Sequence, residues 1–105
     1  MKLQVTSHGI AATDDLQDYV RGRIHFALGR FAGRIKSLSV RLADVNGPRG
    51  DVDKCCDIRI NAGFRQPLTI RERQGNILAA VARAVDRAER AVQRQLSLGR
   101  DTAPL

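Results

Sequence analysis

Every regular segment of this 105-residue chain carries apolar residues on one side only. Four short stretches alternate apolar and polar, the period of a half-buried strand. They run from Leu3 to Ser7, Ser37 to Leu42, Cys56 to Asn61 and Leu68 to Arg73. Their apolar sides are Leu3 and Val5; Leu38, Val40 and Leu42; Cys56, Ile58 and Ile60; and Leu68 and Ile70. Two longer stretches repeat at helical spacing. From Asp14 to Phe31, one arc holds Leu16, Val20, Ile24, Ala27, Leu28 and Phe31. From Ile77 to Leu98, another holds Leu78, Val81, Val85, Ala88, Val92 and Leu96. Each strand thus has one apolar face to bury and each helix one apolar stripe. The economical solution is a single sheet with both helices on one face.

The boundaries follow from local chemistry. Thr13 stands before Asp14 and Asp15, an N-cap followed by acidic residues facing the positive end of the helix dipole. Gly22 and Gly29 fall on the polar side of that helix, and Gly33 is its expected C-cap. Asn46-Gly47-Pro48-Arg49-Gly50 marks a turn-rich loop between Asp44 and Lys54. Gly75-Asn76 opens the last helix and Gly99 is expected to stop it. The order is β-α-β-β-β-α. The first two strands, joined by a helix, are expected to be parallel neighbours with a right-handed crossover, and the rest an antiparallel meander. The expected architecture is α+β: a four-stranded mixed sheet with two helices on one face, and Arg41, Arg59, Arg71 and Arg73 on the other. Residues 1–98 are read as one domain and 99–105 as a flexible tail.

Charge narrows the function. Eighteen Lys and Arg against eleven Asp and Glu give +7, and fifteen of the eighteen are Arg. Arginine is the residue suited to bidentate phosphate contact. A chain this basic points to nucleic acid as its partner. No run of about 18 apolar residues exists to span a membrane. The opening MKLQVTSHGI has no apolar core of a secretory signal, so a cytoplasmic location is expected.

The last helix carries the sharpest feature. Arg83, Arg87, Arg90 and Arg94 fall within about 60° of arc and run for about 16 Å along the axis. Like charges so spaced cost a few tenths of a kcal/mol per pair, which Asp86 and Glu89 offset only in part. An external anion would account for the arrangement; a solvated basic face is the plain alternative. On the first helix, Tyr19, Arg23, Phe26 and Arg30 follow one edge of the apolar stripe. The simpler reading packs Tyr19 and Phe26 on the rim, under the arginine stems. The other has the group stack on or pair with RNA. Arg34 and Lys36 lie just beyond as further phosphate contacts.

No other constellation holds together. His8 and His25 have no partners at zinc spacing, and Asp44, Asn46 and Gly47 do not fit a calcium loop. Cys55-Cys56 alternate across a strand, one inward and one outward, with no base beside them. Arg49-Gly50-Asp51 is a chance adhesion tripeptide in a chain without a secretion signal. No acid–base or metal set is present, so neither an enzyme nor a cofactor is expected.

The chain resembles the short ribosome hibernation-promoting factors and ribosome-associated inhibitors, also labelled sigma-54 modulation proteins. The likeness runs from about Lys2 to Leu96. It rests on LQVTSHGIAATDDLQDYV for the first strand and helix start, on Phe31 and Ile35 at the helix exit, and on DVNGPRGDVDKCCDIRI for the hairpin. It rests most on NILAAVARAVDRAERAVQRQL, where Ala79-Ala80 precede Asp86-Arg87 and a basic run. The resemblance implies a fold distantly like double-stranded RNA-binding domains. It also implies binding to 16S rRNA in the small-subunit channel used by mRNA and tRNA, and silencing of translation. By position it carries a basic role onto Arg23, Arg87 and Arg90, while Arg83 and Arg94 come from the helical wheel alone. Phe26 stands where the family often has Lys, and Gln95-Leu96-Ser97-Leu98 replace a Lys-rich end. The expected partner is the small ribosomal subunit, bound by a monomer, with no DNA and no membrane. A protein-interaction module acting on transcription and a general structured-RNA binder are the alternatives.

Overall fold

The computed structural model describes residues 1–45 and 53–101. The asparagine-glycine-proline loop and the adhesion tripeptide therefore lie outside the described residues, as do the last four residues of the expected tail. The elements are β1 (Lys2–His8), α1 (Asp14–Leu28), a tight 3-10 turn (Gly29–Phe31), β2 (Ser37–Asp44), β3 (Lys54–Asn61), β4 (Leu68–Gln74) and α2 (Ile77–Asp101). The sheet order is β1-β2-β3-β4. β1 runs parallel to β2, and the other neighbours are antiparallel, as the connections require.

Register places the apolar residues in rows. Val5 faces Val40, Val40 faces Ile58, and Ile58 faces Ile70. The adjacent inner row is Leu3, Leu38, Ile60 and Leu68, and the next is Ser7, Leu42, Cys56 and Glu72. Above these rows α1 sets Val20, Ile24, Ala27 and Leu28, and α2 sets Ala80, Val81, Ala84, Val85, Ala88 and Val92, all in one core with the sheet. Three of the six α2 residues are alanines, which let its backbone lie close to the sheet. The opposite face shows Arg41, Arg59, Arg71 and Arg73 to solvent.

Both helices begin on side-chain caps. Thr13 is extended, and its hydroxyl accepts from the Leu16 N–H at 3.2 Å. The Asn76 side-chain oxygen accepts from the Leu78 N–H at 2.7 Å and more weakly from Ala79 at 3.4 Å. Asn76 thus satisfies donors that a helix start leaves open.

Both expected helix stops are corrected. The α-helical part of α1 ends at Leu28, not Phe31, and its last turn tightens. Gly33 is not a left-handed cap, because only Gly9 and Gly63 have positive φ among the described glycines. The Phe31 carbonyl instead accepts from both Arg34 and Ile35, at 2.8 and 3.1 Å, so no left-handed residue is needed. At the other end, α2 passes through Gly99 to Asp101. A glycine weakens a helix by about 1 kcal/mol but ends it only by turning left-handed.

The cysteines divide as alternation requires. Cys56 is fully buried and Cys55 half-buried on the outer face. Burial, helped by the nearby Asp57 and Glu72 carboxylates, pushes the Cys56 thiol up to about 12. A thiol reagent at neutral pH is expected to label Cys55 alone in the native protein and both cysteines in denaturant. Two equivalents taken up natively would contradict this placement.

Candidate nucleic-acid interface

α2 has three working sides. One is buried on the sheet. A second faces α1. The third is the outer flank, beside the edge strand β4, and it carries the arginine stripe. Arg83, Arg90 and Arg94 lie there and make no ion pair or hydrogen bond with any described residue. Arg87 is different. Its Nη1 donates to the Arg71 carbonyl at 2.6 Å and to Glu72 Oε2 at 2.7 Å. It lies down on β4, while its three neighbours project.

The sequence alone does not single out Glu72, although its position carries the signal. It has the inward parity of Leu68 and Ile70, yet it is a carboxylate at a sheet edge and so needs a donor. The Arg87 guanidinium supplies one, and the Gln74 amide a second at 3.0 Å. These bonds, Arg87 first, hold the Glu72 carboxyl below its ordinary value of 4.5. The stability this adds is present in full above pH 4.5 and lost as pH falls through the depressed value. Glu72→Gln is therefore expected to flatten the acid limb of a stability-versus-pH curve. An unchanged acid limb would show that the Glu72 carboxylate gains nothing from Arg87.

The α1 side of α2 forms a seam. The helices run in the same direction, and their contacts follow in chain order. The Tyr19 hydroxyl donates to the Leu78 carbonyl at 3.3 Å. Arg23 Nη2 lies 3.6 Å from Asp86 Oδ1. Arg30 Nη2 lies 3.4 Å from Glu89 Oε2 and donates to Gln93 Oε1 at 3.4 Å, with its guanidinium 4.6 Å over the Phe31 ring. Asp86 and Glu89, expected to offset the stripe, thus pair with α1 instead. At about 100° per residue they point across α2 toward its neighbour. The carboxylate that does meet the stripe is Glu72 of β4, which pairs with Arg87 and lies in the field of Arg83, leaving Arg90 and Arg94 uncompensated among the described residues.

The eight candidate residues therefore do not form one patch. Arg83, Arg87, Arg90 and Arg94 share the outer flank. Arg23 and Arg30 sit on the seam, behind a ridge of Asp86, Glu89 and Gln93. Arg34 and Lys36 are exposed past the end of α1, where the Lys36 N–H donates to the Asn61 carbonyl at 2.8 Å.

The rim reading holds for Tyr19, which is half-buried, and fails for Phe26, which is 93% exposed. On the wheel Phe26 points about 140° from the centre of the buried arc, farther than Arg23 or Arg30. No described residue of α2 covers it.

The remaining charged cluster is structural. Lys54 Nζ donates to Asp44 at 2.9 Å and Asp53 at 3.2 Å, closing the base of the β2–β3 hairpin. These two carboxylates, Asp44 first, raise the lysine above its ordinary value. Among the described residues no group of His, Cys, Asp and Glu could hold a metal ion. No helix of the described residues is long and apolar enough to cross a membrane.

Comparison with known proteins agrees with this fold. The family model described as sigma 54 modulation protein / S30EA ribosomal protein matches residues 3–97. The N-terminal domain of Thermus thermophilus Protein Y superposes with a TM-score of 0.71 at 23% identity, covering 90% of this chain and 98% of that one. A ribosomal subunit interface protein from Coxiella burnetii superposes at 0.74 with 12% identity, covering 92% and 99%. At such identities these likenesses bear on the fold. No curated protein matches the sequence.

Proposed function

Since the chain belongs to the family of sigma 54 modulation proteins and S30EA ribosomal proteins, we propose that it is a non-enzymatic ribosome-hibernation factor. In this reading it lies in the mRNA–tRNA channel of the small subunit. It holds 16S rRNA phosphates through the basic faces of its helices, and it silences translation by occupying the path of mRNA and tRNA. The observation that carries the proposal is the line of Arg83, Arg90 and Arg94, projecting exposed from α2, with Arg83 only in the longer-range field of Glu72 and the other two without a partner among the described residues. A row of exposed guanidiniums on a rigid helix suits a phosphate backbone. Such binding reads the shape of folded RNA and is strongly salt-dependent.

The test is cosedimentation with purified 30S and 70S particles at low and moderate salt. Saturable binding at one copy per small subunit, weakened by salt, is the expected result. Absence from both particles at both salts would overturn the proposal. A partner protein retained after nuclease treatment would then point to the interaction-module alternative.

A further inference from the structure

Phe26 is the largest apolar side chain that the fold leaves in water, at 93% exposure. Its surroundings are specific. On the helix surface its neighbours one turn away are Gly22 and Gly29 on one side and Arg23 and Arg30 on the other. A Cβ placed on either glycine would meet nothing within 4 Å. The ring therefore rises beside bare backbone, and no side chain shields that side. Toward the seam it is flanked by two guanidiniums, spaced by two helical turns. Their ion pairs, at 3.6 and 3.4 Å, are exposed and long. Such pairs hold their arginines weakly; Arg30 also donates to Gln93 at 3.4 Å and lies over the Phe31 ring, so Arg23 is the freer of the two to turn to another anion.

We infer that Phe26 is a stacking platform for one unpaired nucleobase, whose flanking phosphates are met by Arg23 and Arg30. The inference rests on the ribosome-binding reading above and deepens it. A flat ring with one open side and cations on the other matches the parts of a nucleotide: a planar base and a charged backbone. An apolar pocket on a protein would ask for a cluster of exposed apolar neighbours. Gly22, Arg23, Gly29 and Arg30 supply none. This surface is also separate from the α2 flank, so the two would engage different stretches of RNA.

The experiment is a variant series in the 30S cosedimentation assay, with salt titration. Phe26→Ala should weaken binding by about 5- to 150-fold, the range for loss of one stacked base. The slope of affinity against salt should not change, because stacking releases no counterions. Phe26→Tyr should bind as the parent does, and Phe26→Leu should bind as poorly as Phe26→Ala. Gly22→Gln should weaken binding while raising the melting temperature, since it crowds the open side of the ring and removes a helix glycine. Full binding by Phe26→Ala overturns this inference alone. Full binding by Phe26→Leu also overturns it, in favour of an apolar pocket. Failure of the unaltered chain to bind overturns the ribosome reading first.

Discussion

Replacing Arg83, Arg90 and Arg94 together with alanine is expected to cost about a hundredfold in affinity for 30S particles at about 0.15 M salt. The size follows from counterion release. Each phosphate contact contributes about 0.7 to 0.9 to the slope of log affinity against log salt, so three contacts contribute about two to nearly three units. Extrapolated from about 1 M salt, that slope amounts to about two decades at about 0.15 M. The variant should therefore show both the loss and a flatter salt dependence, and the two should agree. Stability should change little, because Arg90 and Arg94 have no partner among the described residues and Arg83 touches Glu72 only through its charge, with Arg87 still holding that carboxylate. Removing like charges at helical spacing should raise it slightly. Arg87 is left in place deliberately. It holds the Arg71 carbonyl and Glu72, so its removal would mix a folding defect with a binding defect. Circular dichroism on the same sample supplies the control. A triple variant that folds and binds with an unchanged salt slope would move the interface away from this flank.

The parts of this molecule that can be read from its sequence are those set by one element at a time. Val40, Ile58 and Ile70 face the core because a strand alternates, whatever lies beside it. Thr13 caps α1 because its hydroxyl reaches an N–H three residues on. What depends on two elements is harder to see. Asp86 and Glu89 lie near enough to the stripe in sequence to look like its counterions. The parallel packing of α1 and α2 turns them toward Arg23 and Arg30 instead. Arg87 looks like one of four equal arginines until β4 brings Glu72 beneath it. Phe26 looks like a rim residue because aromatic side chains usually are. Its true angle from the core is calculable, but the width of the covering neighbour is not. The candidate site is thus legible as a composition of charged faces, while its division into a flank, a seam and an isolated ring needs the fold.

Ile58→Ala should destabilise the protein far more than a truncation on the edge strand β1. Ile58 lies mid-strand in β3, flanked by Val40 on β2 and Ile70 on β4, and it is fully buried. Truncating such a side chain loses its transfer free energy and leaves a cavity, together costing about 2–5 kcal/mol. A domain of this size is held by only about 5–15 kcal/mol. The melting temperature should fall by about 8–40 °C, taking about 4–8 °C per kcal/mol for domains of up to about 100 residues. In urea the midpoint should drop with its slope kept, the sign that the same surface is exposed on unfolding. Leu3→Ala, on the edge strand β1, should cost clearly less, because the Leu3 side chain is itself only half-buried. If the two losses were equal, the inner rows would not form a core graded from centre to edge. At a temperature where Ile58→Ala is still folded, its affinity for 30S particles should match the parent. The arginine triple should give the opposite pattern, intact in folding and defective in binding. Together the pair would separate what holds the sheet together from what the outer surface is for.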